Sequence, residues 1–285
     1  MNDVEDAAFE ALLEFLKRTR GIDFTGYKRN SLQRRFRRRM DTVGCESFSD
    51  YLDYLEVTPQ EYDELFEMLL INVTEFFRDP PAWEHLRKTI LPPLLAGKAD
   101  DQPVRVWSAG CASGQEAYTA GMVLAELLGV EAYRERVKIY ATDIDDDALG
   151  QARLATYTAK EIESVPAELR ERYFERADQR FAFRKDLRRT VIFGRNNLVQ
   201  DAPISRLDVL ICRNTLMYFN AETQGRILRH FHFALDPAGA LMLGKSEMMI
   251  SHRDLFVPSD LKMRIFLKQP HASMASRANA GNRPS

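Results

Sequence analysis

Apolar residues in the first quarter of the chain recur with a helical period. Phe9, Leu12, Leu13 and Leu16 fall at i, i+3, i+4 and i+7, and Phe48, Tyr51, Leu52 and Leu55 repeat the pattern, so each segment carries one apolar face. Gly21 and Gly26 separate the first helix from the second, and Gly44 ends the second. Thr58 before Pro59 is placed to cap a further helix running toward Ile71. The pattern predicts an N-terminal helical domain of four helices over residues 1–78. Asp79-Pro80-Pro81 marks a new helix start, with Asp79 as N-cap and proline in the first turn, where its missing N–H costs nothing. Pro92-Pro93 interrupts the chain again, and the polar run Gly97 to Pro103 follows. Residues 79–103 therefore read as a linker helix and domain boundary.

Beyond Pro103 the pattern changes. Short apolar runs, Val104 to Trp107, Lys138 to Ala141, Thr190 to Phe193, Leu207 to Ile211 and Ala240 to Leu243, alternate with helical segments. This predicts an α/β domain over residues 104–269 with a mainly parallel sheet. Residues 157–189 are too many for a simple crossover between two strands. They read as a small inserted subdomain, with Phe181-Ala182-Phe183 in a short strand. Residues 270–285 are small or polar and are expected to be a disordered tail.

Composition narrows the class. With 285 residues, 45% hydrophobic and 29% charged, the chain suits one large and one smaller soluble domain. No window approaches the run of about 18 apolar residues that a membrane span needs, and the acidic start is unlike a signal peptide. A cytoplasmic protein without membrane insertion is expected. Cys45, Cys111 and Cys212 are widely spaced with no CxxC pair, which argues for reduced thiols and against a zinc site. The formal charge of −2 conceals an asymmetry: Lys28 to Arg39 holds seven basic residues and no acid, whereas Asp41 to Ile71 holds nine acids and no Lys or Arg.

The candidate chemistry lies where the first α/β strand ends. Val104 to Trp107 runs into Ser108-Ala109-Gly110-Cys111-Ala112-Ser113-Gly114 and then a helix. The glycines and small side chains allow a ligand to approach the backbone. The loop lacks the Gly-Lys-Ser/Thr ending of a triphosphate-binding loop. Asp143, ending the next strand, is placed to accept hydrogen bonds from a ribose diol, and Asp145 to cap the following helix. These features alone leave a dehydrogenase and a methyltransferase equally open.

Further segments add specificity. Asn72-Val73-Thr74-Glu75-Phe76-Phe77-Arg78, Trp107 to Tyr118, Ala141 to Asp145, Asn196-Asn197-Leu198, Cys212 to Phe219 and Leu243-Gly244-Lys245-Ser246-Glu247 occur in this order. Together they resemble the CheR-type chemotaxis receptor protein-glutamate O-methyltransferases, from the N-terminal helices to about Phe266. The resemblance implies a class I, Rossmann-like methyltransferase domain that uses S-adenosylmethionine. It assigns Asn72, Thr74 and Arg78 to the methionine end of the donor and the reacting carboxylate. Glu116 and Asp143 match acidic cofactor-binding positions, Asn197 and Leu198 the pair near the adenine, and Arg213 with Asn214 the pair beside the donor. Arg78 and Tyr218 match the residues flanking the transferred methyl. The family loop Ser-Thr-Gly-Glu-Glu-Pro-Tyr-Ser here reads Ala112 to Thr119, retaining Glu116 and Tyr118. The segment between Phe174 and Phe193 lacks the glycine-bearing loop with which some members dock a receptor's C-terminal peptide, so no such tether is expected.

On the basic helix, Leu32, Phe36, Met40 and Val43 form one stripe that turns Arg34, Arg35, Arg37 and Arg38 outward. In the resembled family this region faces a receptor bundle rich in glutamate. Steering toward the cytoplasmic domain of a methyl-accepting receptor is the preferred reading of these four arginines, with pairing to the Asp41–Ile71 stretch as the competitor. A nucleic-acid methyltransferase is the first rival, disfavoured by the pI near 6.3 and the lack of a basic, aromatic-interleaved catalytic face. The second rival is a non-catalytic donor-binding signalling domain, to which Gln115 and Ala117 point. A monomer is expected, with no nucleic-acid partner.

Overall fold

A computed structural model describes residues 3–247 and 254–270. The expected disordered tail lies, Pro270 apart, outside the described residues.

Four helices come first: α1 (Asp3–Arg20), α2 (Arg29–Val43), α3 (Phe48–Val57) and α4 (Glu61–Leu70). Their apolar stripes meet in one core containing Phe9, Leu12, Leu16, Phe36, Phe48, Tyr51, Leu55 and Leu65. α2 ends where Gly44 turns left-handed at φ 78°, a conformation that a Cβ disfavours. The start of α4 differs from expectation. Thr58 is the C-cap residue of α3, and α4 begins at Glu61 without a side-chain cap. Glu61 instead turns inward, taking two hydrogen bonds from Arg39 at 2.6 and 2.7 Å and one from the Tyr51 hydroxyl at 2.7 Å.

The helix expected after Asp79 forms, and it packs on the α/β domain. α5 (Pro80–His85), a π-helical turn (Leu86–Ile90) and α6 (Leu91–Ala96) run on without a break. Ala82, Trp83, Leu86, Ile90 and Leu91 are buried in the core of the α/β domain. Pro92 and Pro93 do not interrupt this run because the wide turn before them restarts the helical frame, which leaves them at its beginning, where no N–H is required.

The α/β domain is built on β1 (Val104–Ala109), β2 (Val137–Asp143), β6 (Val191–Arg195), β7 (Leu207–Cys212) and β8 (Leu235–Leu243), all parallel. Antiparallel β10 (Ile265–Lys268) and β9 (Phe256–Asp260) complete the seven-stranded order β6-β2-β1-β7-β8-β10-β9. Side chains alternate between two cores. Val104, Val106, Val209 and Ile211 face one, with α7 (Gln115–Leu128), while Trp107, Ala109, Leu210 and Cys212 face the other, with α12 (Ala221–Ala234). Burial on both faces explains why these strands read as apolar runs. Between α9 (Asp146–Leu154) and β6 lies a second sheet, β3 (Thr156–Tyr157), β5 (Arg180–Phe183) and β4 (Phe174–Ala177), in the order β3-β5-β4. No described helix is long and apolar enough to cross a membrane.

The Arg39–Glu61–Tyr51 network yields a stability prediction. Burial alone would raise the Glu61 carboxyl, but the hydrogen bonds from Arg39 and Tyr51 hold it below its ordinary value. Its stabilisation is therefore complete at neutral pH and disappears as pH falls through the lowered folded value. Glu61→Ala strands the Tyr51 hydroxyl, leaves the Arg39 guanidinium only the exposed Glu64 at 3.5 Å, and should cost about 3 kcal/mol at pH 7. Urea unfolding at pH 7 and again at about pH 3 checks this: the gap between variant and parent should shrink in acid.

Candidate active site

The sheet order locates the site. Chain direction carries β1 to β2 and β6 on one side, whereas β7 and β8 lie on the other, so the connections diverge and leave a crevice beyond the carboxyl ends of β1 and β7. Gly110 follows β1 with φ 81°. A Cβ there would lie 2.3 Å from Thr215 Oγ1 in the loop after β7, so the two loops approach closely only because residue 110 is glycine. Above them is a cleft of ≈ 310 Å³. Of the nine non-glycine residues with positive φ among those described, Ile71, Ala112 and Asn214 line this cleft, and Phe77 and Asp79 flank Arg78. Backbone strain is thus concentrated around it.

Asn72, Thr74, Arg78, Glu116, Asp143, Asn197, Leu198, Arg213, Asn214 and Tyr218 all line the cleft. Residues 72–79 form its outer wall, pinned at both ends. Asn72 Nδ2 donates to Asp145 Oδ2 at 2.6 Å, and Asp145 in turn accepts the N–H groups of Asp147 and Ala148 as the N-cap of α9. At the other end Asp79, expected to cap α5, makes no capping bond; its carboxylate pairs with Arg213 and Lys245. Two cations outcompete a helix terminus for one carboxylate. Between these pins the Phe77 N–H donates to Thr119 Oγ1 at 3.2 Å, and Arg78 Nη1 to the Val73 carbonyl at 3.2 Å. Arg78 makes no ion pair among the described residues.

The basic helix divides. Arg34 and Arg38 are exposed, and Arg37 pairs with Glu5 at 2.6 Å. Arg35 departs from the outward orientation expected of it: its guanidinium lies over the Tyr218 ring, 4.8 Å from the centroid, and Nη1 donates to the Leu69 carbonyl at 2.8 Å. A helical wheel of α2 alone cannot show that the α/β domain packs against that face.

The carboxyls of Glu116 and Asp143 line the crevice, and that of Glu247 lies behind it. Burial pushes Glu116 up to about 7, against the pull of Arg213 and a 2.7 Å hydrogen bond from Ser108. Asp143 is also raised by burial, although it accepts the N–H groups of Ala112, Ile144 and Asp145 at 2.8, 2.8 and 3.2 Å. Glu247 is raised by burial too, while it accepts from Gly244, Thr215 and Leu216 and ties the loop after β8 to the loop after β7. Asp79 goes the other way: burial would raise it, but Lys245, Arg213 and Arg78 hold it low. Cys111 and Cys212 are buried with thiols pushed far up by burial, which suits packing and not reactivity.

Arg213 Nε, Asn214 Oδ1 and Asn196 Oδ1 are buried without a hydrogen-bond partner in the protein, and all three residues line the cleft. Unpaired buried donors and acceptors are costly. Here they are available to a polar ligand, and the acidic groups are available to its cationic part. A nucleoside carrying an amino acid fits this set.

Comparison with known proteins decides the family. Residues 72–265 match the model described as CheR methyltransferase, SAM binding domain, and residues 7–70 match its all-alpha domain. The chain belongs to the CheR methyltransferase family. Its cofactor is S-adenosylmethionine. Chemotaxis protein methyltransferase 2 of Pseudomonas aeruginosa is 34% identical over 85% of this chain and 86% of its own length. The chemotaxis protein methyltransferase of Escherichia coli is 33% identical over 86% of this chain and 85% of its own. An uncharacterized 104.1 kDa protein of Rhodobacter capsulatus is 34% identical over 96% of this chain, which spans 29% of that protein.

Some cleft residues escaped the sequence reading. Asn196 was adjacent to a recognised pair, but its own role was not. Tyr27, Trp83 and Ser246 also line this CheR cleft; Ser246 sits in a recognised motif, but nothing local marks Tyr27, from the helical domain, or Trp83, from the helix after Asp79. The tight approach at Gly110 provides a test. Gly110→Ala imposes a left-handed conformation costing about 1–2 kcal/mol and a clash with Thr215, so calorimetry should show S-adenosylmethionine binding weakened by about ten-fold or more. Parental affinity in the variant would show that the Thr215 loop yields freely.

Proposed function

We propose that this chain transfers the methyl group of S-adenosylmethionine to glutamate side-chain carboxylates in the cytoplasmic domain of chemotaxis-type receptors. The observation that carries this reading is the convergence of Arg78 and Tyr218 on the cleft that also holds Glu116, Asp143 and Arg213. No histidine is among its lining residues, and none is required. A glutamate carboxylate has an ordinary pKa of about 4.3 and is ionised at neutral pH, so no general base is needed.

When bound, S-adenosylmethionine supplies a methyl group carried on a positively charged sulfur. Opposite charges cancel during the transfer, so the site gains most from alignment and exclusion of water. In this reading Arg78 and Tyr218 donate hydrogen bonds that orient the acceptor oxygen without removing a proton. Arg78 positions more than it accelerates, because a tight grip on the charged acceptor would stabilise the ground state. Glu116 takes the ammonium of the methionine end and Asp143 the ribose. Asn72, Thr74, Arg213 and Asn214 enclose the donor, and Asn197 and Leu198 flank the adenine.

Arg34 and Arg38, exposed on α2, are the arginines that remain for steering toward an acidic receptor surface. Arg39 instead pairs with Glu61 and Glu64. The β4–β5 hairpin turns through Asp178 and Gln179 alone, which leaves no extended loop for a peptide tether and supports tether-independent methylation.

Labelled donor incubated with a receptor cytoplasmic fragment tests the function. Label that is released by alkali, as a carboxyl ester requires, is expected, and transfer should slow at low salt in Arg34→Gln/Arg38→Gln. Alkali-stable label, or label on nucleic acid, overturns the reading. A second prediction concerns pH. Because burial raises Glu116 to about 7, it is protonated in the folded protein below that pH and ionised above it. Donor affinity should be full above pH 7 and fall as pH drops through it, by up to about ten-fold per unit. Glu116→Gln should bind weakly with a flat profile across the same range in calorimetry.

A further inference from the structure

Tyr218 lies in a short 3₁₀ turn (Leu216–Tyr218) of the α/β domain, yet the helical domain holds it. The Lys28 N–H donates to the Tyr218 carbonyl at 2.9 Å, and the Asn220 N–H donates to the Gly26 carbonyl at 2.9 Å. Between them Tyr27 and Phe219 form an antiparallel bridge with ring centroids 4.6 Å apart. The approach is tight: a Cβ on Gly26 would lie 2.8 Å from Thr223 Oγ1. The backbone on both sides of Tyr218 is therefore held by residues 26–28.

The ring is held by α2. Arg35 stacks over it at 4.8 Å while the same guanidinium donates to the Leu69 carbonyl. Leu69 is in the last turn of α4, three residues before Asn72. Both the face and an edge of the guanidinium are engaged and the side chain is half-buried, an arrangement in which a cation–π contact is stronger than at the surface.

We propose that Arg35 is a positioning residue for methyl transfer, setting the Tyr218 ring over the cleft and coupling it, through Leu69, to the chain that enters Asn72–Arg78. This inference rests on the reading that Tyr218 flanks the transferred methyl. Arg35 acts through the tyrosine hydroxyl's position and not by touching the receptor. The exposed Arg34 and Arg38 on the same helix are the receptor-facing charges.

Arg35→Met keeps the length and apolar packing of the side chain and removes both interactions. It should lower the single-turnover rate by roughly ten- to a hundred-fold, the scale on which a small misplacement acts, with donor affinity and receptor KM unchanged. Arg35→Lys restores the cation but not the planar stack, and should recover part of the rate. In a Tyr218→Phe background, Arg35→Met should cause little further loss, since the hydroxyl it places is gone. Multiplicative losses, or an effect confined to receptor KM, overturn the proposal. A receptor-free measurement separates it from the acceptor assignment: 3-fluorotyrosine at position 218 should give a fluorine resonance that shifts or broadens in Arg35→Met and Arg35→Lys but not in Arg34→Gln. An unmoved resonance overturns the proposal even if methyl transfer is never observed.

Discussion

A parallel sheet whose crossovers diverge between β1 and β7 opens at that point, and its open end must be walled by chain from outside the sheet. Here the wall is residues 72–79, and it stays in place because two carboxylates of different origin pin it. Asp145 holds Asn72 while capping α9, and Asp79 is drawn from its own helix to Arg213 and Lys245 at the ends of β7 and β8. The cleft depends on these pins. This wall is a loop with no helix or strand of its own, and without the pins it would lose its anchors at both ends, where the left-handed residues Ile71 and Asp79 lie.

The same pins set the electrostatics. Arg213 neutralises Asp79 and also lowers Glu116, so removing Asp79 would disturb the buried acid across the cleft as well as the wall. Burial keeps Glu116, Asp143 and Glu247 above their ordinary values. Each is partly stabilised by hydrogen bonds, and Glu116 and Asp143 are the two of them that line the cleft. Arg78 has no carboxylate ion-pair partner among the described residues, which is why the proposed function gives it the anionic acceptor.

The helical domain is the third part of the arrangement. Its Tyr27 lines the cleft, its residues 26–28 brace the turn that carries Tyr218, and α2 meets the tyrosine ring. Residues of both the helical and the α/β parts therefore line one cleft.

Much of this was legible in the chain itself. Strands buried on both faces appear as apolar runs, the helical stripes have their own period, and Asp145 caps α9 as its position suggests; these signals are local, and local physics determines them. The remaining cleft residues were marked only by the ordered motifs that resemble the CheR-type family. Pro92-Pro93 and Asp79 were misread because a π-turn and a pair of distant cations overrode the usual rules for helix starts. Arg35 was turned outward by a helical wheel that omits the neighbouring domain. Which carboxylate pairs with which cation, which glycine must be a glycine, and which arginine lies over the tyrosine were decided by tertiary structure, since each depends on groups brought together from far apart along the chain.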